Sequence, residues 1–137
     1  MALVVIVDDD QTLAGFLAFV LRRGGHTPIV AANGREALAL AGRLERPVDL
    51  VLADAKSPRA IGSELSSGLG RHPAFFGVPI VVLSSGVSED EGSAHGVLMK
   101  PFTAAELCEV VGHHCDRAIQ KLEPMHWTHA ERSAALR

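Results

Sequence analysis

Three consecutive aspartates, Asp8, Asp9 and Asp10, follow the apolar run Leu3 to Val7. A fourth, Asp54, closes the run Asp49 to Ala53 and is followed by Ala55-Lys56-Ser57-Pro58. Ser84 and Ser85 follow Pro79 to Leu83, and Lys100 and Pro101 follow Gly96 to Met99. If these ends share one mouth, several carboxylates, a hydroxyl and an ammonium meet in one small site. Carboxylates that close repel and need a compensating cation. A sparse all-oxygen set suits Mg²⁺, which keeps waters and binds carboxylates together with phosphate oxygens. A carboxylate beside such a cation can attack a phosphoryl group and become an acyl phosphate. A lysine and a hydroxyl at the same point would hold the phosphoryl oxygens, because these transfers depend mainly on positioning and charge stabilisation.

The elements that must position this set are legible as a pattern. The runs Leu3 to Val7, Asp49 to Ala53, Pro79 to Leu83 and Gly96 to Met99 are short and lack polar alternation, as strands covered on both faces do. A further run, Pro28 to Ala32, is the weakest and suits a sheet edge. Gln11 to Arg23 sets Leu13, Phe16, Leu17, Val20 and Leu21 at helical spacing and stops at Gly24-Gly25. Asp10 suits its N-cap. Arg35 to Leu44 is a second helix with Ala37, Leu38, Ala41 and Leu44 inward, and Ile61 to Arg71 is a poorer one. Thr103-Ala-Ala-Glu106 opens the last helix as a capping box, and Leu107, Val110, Val111, Ala118 and Leu122 continue its apolar side. Strands alternating with helices predict an α/β, doubly wound, five-stranded parallel sheet with helices on both faces. Ligands bind such sheets beyond the carboxyl ends of the strands.

Composition narrows the class. The 137 residues are 47% hydrophobic and 21% charged with net charge -3, the profile of one globular domain over 1–122 with a tail at 123–137. Pro124 disfavours direct helical continuation into that tail. The charge balance gives no footprint for nucleic acid, and no apolar run approaches the ~20 residues of a membrane span. No signal-peptide pattern is present, and the two cysteines, Cys108 and Cys115, form no disulfide framework. The expected setting is the cytoplasm. Both cysteines read as small buried or semi-buried hydrophobes. His113, His114 and Cys115 read as a surface patch, since adjacent helical residues point about 100° apart and share one ion poorly. His126, Trp127 and His129 read either as a docking segment or as a frayed end.

The segments VVIVDDD, VDLVLADAKSP, VPIVVLSS and LMKPF, in that order, resemble the four signatures of the CheY-like receiver domain of two-component response regulators. The resemblance covers about residues 2 to 122, with thirty positions between Asp54 and Ser84 as in that family. It implies a flavodoxin-like strand order 2-1-3-4-5 and a phosphoacceptor at Asp54. It also implies Mg²⁺ held by Asp9, Asp54 and the backbone carbonyl of Lys56, with Asp8 acting through water. Ser84 is then the switch hydroxyl, and Lys100 precedes a cis-prolyl bond to Pro101. The implied partners are a sensor histidine kinase or phosphotransfer protein and a downstream protein whose binding is switched. As a stand-alone receiver the chain is expected to act without a DNA-binding output domain of its own, an expectation that lapses if it is a fragment of a longer protein.

Two departures stand out. Only sixteen positions separate Ser84 from Lys100, so a fourth helix would be shortened or missing. Val97 stands where the family commonly carries a rotating Tyr or Phe. These departures favour an alternative, a phosphorylation-independent scaffold, while the intact site residues oppose it. An aspartyl phosphohydrolase is disfavoured, because Lys56 occupies the position where such enzymes carry a second acid. Lys56 itself reads either as an ammonium competing with Mg²⁺ in the mouth or as a solvated loop lysine.

Overall fold

The computed structural model describes residues 2–54, 75, 77–85 and 96–122. Five strands form one parallel sheet: β1 (Leu3–Val7), β2 (Thr27–Ala31), β3 (Leu50–Asp54), β4 (Ile80–Ser84) and β5 (Gly96–Met99), in the order β2-β1-β3-β4-β5. The helices among the described residues are α1 (Gln11–Arg23), α2 (Gly34–Ala41) and α3 (Ala104–Leu122). The expected helix at Ile61–Arg71, the shortened or missing fourth helix, Lys56 and the tail lie outside the described residues, as do the side chains of Ala41, Ala118 and Leu122.

β1 and β3 are buried at every position, as their unbroken apolar runs require. Alternate side chains feed two cores. Val4, Ile6, Leu50, Leu52, Val81, Leu83 and Leu98 meet α1 and α3 through Leu17, Leu21, Leu107 and Val111. On the opposite face Val5, Val7, Val51, Ala53 and Val82 meet Ala37 and Phe75. β2 is an edge strand, and its Pro28, which has no N–H to offer a ladder, is tolerated there.

The helix ends follow local chemistry. Asp10 caps α1, its Oδ1 accepting from Thr12 N at 2.9 Å and Leu13 N at 3.3 Å. At the other end Gly25 takes a φ of +87°, a conformation open to glycine at little cost. Asn33 caps α2 through a 2.8 Å bond from Glu36 N. The capping box forms as expected: Glu106 N donates to Thr103 Oγ1 at 3.1 Å, and Thr103 N to Glu106 Oε1 at 3.3 Å.

Three details differ from the sequence reading. α2 stops at Ala41, where Gly42 ends it, so Leu44 packs half-buried from beyond the helix. β2, β3 and β4 each sit one residue later or earlier than expected, which puts Asp54 and Ser84 inside the last ladder positions. Phe16 is 41% exposed, its ring tilted against Phe102 at 6.5 Å between ring centroids rather than buried.

His114 is the largest departure. It is buried, not part of a surface patch, whereas His113 is exposed. Gly96 makes room for it: a Cβ there would lie 2.7 Å from His114 Nε2. The expected consequence is that Gly96→Ala lowers stability by about 1–3 kcal/mol through overpacking, read as a fall in the urea midpoint. In the Gly96→Ala background, His114→Asn should cost less than it does alone. Purely additive effects would remove the packing explanation.

Candidate functional site

Parallel pairing aligns the carboxyl ends of the strands. Val7 pairs with Ala53, so Asp8 and Asp54 leave adjacent strands side by side. Asp54 pairs with Leu83, and Ser84 with Met99, which brings Ser84 and Lys100 to the same end. Lys100 N donates to Ser84 O at 2.7 Å, and the Lys100–Pro101 bond is cis, as the resemblance implied.

Asp8, Asp54 and Ser84 are all buried. Asp54 Oδ1 accepts from Lys100 Nζ at 3.0 Å, and the lysine stem is only partly exposed. Asp8 Oδ1 accepts from Asp10 N at 2.8 Å. Its other oxygen, Oδ2, is buried with no hydrogen-bond partner among the described residues. The Asp8 pKa is pushed up to about 6. Burial is the main cause and the Asp54 and Asp10 charges add to it, while the Asp10 N–H and Lys100 act in the opposite direction.

The structure thus brings Asp8, Asp54, Ser84 and Lys100 together. Asp9 is exposed at the rim, and Asp10 is committed to the α1 cap. Among the described residues, no three His, Cys, Asp or Glu side chains gather as a metal-holding group. The chemistry of the donors nevertheless fits a hard divalent cation. An orphaned buried carboxylate oxygen beside a second carboxylate is an all-oxygen set, and Mg²⁺ commonly takes only one or two carboxylates and completes its shell with water and phosphate oxygens.

Sequence reasoning located the acidic mouth and separated a direct role for Asp9 from a water-mediated one for Asp8, but did not show that Asp8 is the buried member and Asp9 the exposed one. Strand geometry carries that signal, because Asp8 continues the β1 ladder through its N–H to Ala31 O at 2.9 Å. No described helix is long and apolar enough to cross a membrane.

Comparisons with known proteins agree with this geometry. The DNA-binding response regulator MtrA of Mycobacterium tuberculosis is 37% identical over 110 residues, 76% of this chain and 46% of that protein. The chain therefore spans about half the length of the curated relatives it matches. The chemotaxis response regulator CheY4 of Vibrio cholerae superposes with a TM-score of 0.71 at 28% identity, covering 83% of this chain and 98% of that one. The receiver domain of a Pseudomonas aeruginosa sensor histidine kinase, solved with magnesium in its active site cleft, shares the fold at 22% identity and a TM-score of 0.71, covering 83% of this chain and 97% of that one. Residues 4–112 match the response regulator receiver domain profile, and the chain belongs to that family of two-component signalling domains.

Proposed function

We propose that this chain is a Mg²⁺-dependent phosphoacceptor whose Asp54 takes a phosphoryl group from the phosphohistidine of a sensor kinase or phosphotransfer protein. The observation that carries the reading is the part-buried pairing of Asp54 with Lys100 beside a second carboxylate, Asp8, one of whose oxygens is buried without a partner among the described residues. In the transfer, an Asp54 carboxylate oxygen attacks phosphorus as the P–N bond to the donor imidazole breaks, and the electron pair leaves with that nitrogen. Lys100, already on the carboxylate, moves to the phosphoryl oxygens as charge collects there. Ser84 supplies a hydroxyl to the same oxygens. A divalent cation held by Asp8, Asp9, Asp54 and the Lys56 carbonyl would neutralise the carboxylates and the incoming phosphoryl charge.

The product state adds negative charge at the carboxyl end of β3, and its pull on Ser84 and Lys100 shifts affinity for a downstream protein. The scaffold alternative rests on Val97, an exposed aliphatic residue with no ring to couple that shift to the surface.

Intact mass after incubation with acetyl phosphate and Mg²⁺ tests the reading. One phosphoryl group should appear on the parent, be lost without Mg²⁺, and be absent from Asp54→Asn. Absence from the parent with a phosphorylated kinase as donor as well would leave the scaffold reading in its place.

The raised Asp8 pKa gives a second test. With a folded value of about 6 against 3.8 for the free side chain, ionised Asp8 opposes folding above pH 6, and the penalty fades as pH falls towards 3.8. In chelator at pH 7.5, Asp8→Asn should therefore be more stable than the parent, on the order of 2 kcal/mol by urea unfolding, with the difference closing near pH 4. Added Mg²⁺ at pH 7.5 should stabilise the parent and not the variant. Equal responses would exclude Asp8 from the cation site.

A further inference from the structure

Lys100 is the cation of the site, and the short link Lys100-Pro101-Phe102-Thr103 that carries it joins β5 to α3. Both ends of this link are tied. Lys100 N donates to Ser84 O at 2.7 Å, and Thr103 shares the capping box with Glu106. Between them Phe102 is half-buried against the core that α1 and α3 share. Its ring meets that of Phe16 on α1 at 6.5 Å between centroids and a tilt of 41°, inside the range of favourable aromatic pairs.

Phe16 is exposed, whereas Ala14, Leu17, Ala18 and Leu21 fill the inward side of α1. Its place in the chain gives the contact meaning. α1 starts from the Asp10 cap, and Asp10 N is itself bonded to Asp8, so α1 is anchored on the acidic loop. Within the sheet, β3 and β4 stand between the strand that leads to Asp8 and the strand that leads to Lys100. The Phe16–Phe102 contact spans the same gap outside the sheet, from the helix behind the acidic loop to the link that bears the lysine.

The consequence falls on Lys100. A four-carbon stem gives up much freedom when its ammonium is held, and play in the backbone beneath it adds to that loss. Phosphoryl transfer in turn depends mainly on positioning.

We propose that Phe16 is a positioning residue: by bearing on Phe102 it fixes the link beneath Lys100 and so holds the ammonium on Asp54. The effect on transfer rests on the phosphoacceptor reading above, while the hold on Lys100 stands apart from it.

The lysine itself gives the readout. With ¹⁵N at the lysine Nζ atoms, the Lys100 ammonium signal, identified by its loss in Lys100→Gln, should be protected from solvent exchange in the parent. Phe16→Ala should speed that exchange several-fold and slow phosphoryl gain from acetyl phosphate and Mg²⁺ about tenfold. Acetyl phosphate is a small donor with no surface to dock, so the loss cannot come from kinase recognition. Phe16→Tyr keeps the ring and should restore both readouts. Phe19→Ala lies on the same helix, at a side chain 58% exposed beneath the Arg23 guanidinium, and should change neither. Phe102→Leu breaks the contact from the other side should Phe16→Ala fail to fold. Parental exchange at Lys100 once the contact is broken would overturn the proposal, as would an equal loss in Phe19→Ala or a loss that Phe16→Tyr does not repair. A parent that takes no phosphoryl group from any donor would remove the phosphoacceptor reading alone, and exchange at Lys100 would still decide the role of Phe16.

Discussion

Two carboxylates buried side by side, Asp8 and Asp54, set the problem that the rest of the molecule solves. Charge of one sign in a dry pocket is costly unless an opposite charge is held against it. Lys100 supplies that charge from β5, on the far side of β4 from Asp54, and it reaches Asp54 Oδ1 because four strands end at a common level. The parallel register is therefore a requirement of the site as well as of the core. Slipping β1 or β3 by a single residue would turn that strand's carboxylate to the opposite face.

The compensation is incomplete by construction. Lys100 satisfies Asp54, whereas Asp8 keeps one oxygen without a partner and a raised pKa. A structure selected for stability alone would favour an apolar or amide side chain there. The retained frustration is understandable where an additional cation and a phosphoryl group are the intended occupants, since a site already neutral would have little affinity for either.

Much of this was legible in the sequence because the strands that matter most are the simplest. Runs such as Leu3 to Val7 carry no polar alternation, so they had to be covered on both faces, and the residues ending them had to share a mouth. The capping box at Thr103 and Glu106 was equally readable, being a local bond between residues three apart. What escaped depends on contacts distant in sequence. The burial of His114 is permitted by Gly96, eighteen positions earlier on a different element. Asp10 was readable as the α1 cap, whereas the burial of Asp8 by β1 pairing, with Asp9 left at the rim, was not. The early end of α2 was visible at Gly42, but the apolar spacing through Leu44 outweighed that signal.

The two sheet edges are built differently, and the difference bears on where this domain meets other molecules. β2 is closed to further pairing in part because Pro28 has no N–H, and its first turn is tied to the start of the chain by Thr27 N to Ala2 O at 2.8 Å and Ala2 N to His26 Nδ1 at 3.1 Å. β5 is only four residues long and leaves Val97 and Met99 exposed. Short edge strands resist indiscriminate pairing while still presenting side chains. The same strand leads directly into Lys100, so the residue that neutralises Asp54 and the residues that face outward share one rigid stretch of backbone. A change in charge at Asp54 that moves Lys100 therefore acts on the end of β5 itself, while at the β2 edge it must first cross β1, buried along its whole length. On these grounds the β5 side is the physically favoured place for the proposed chemistry at Asp54 to become a change in surface.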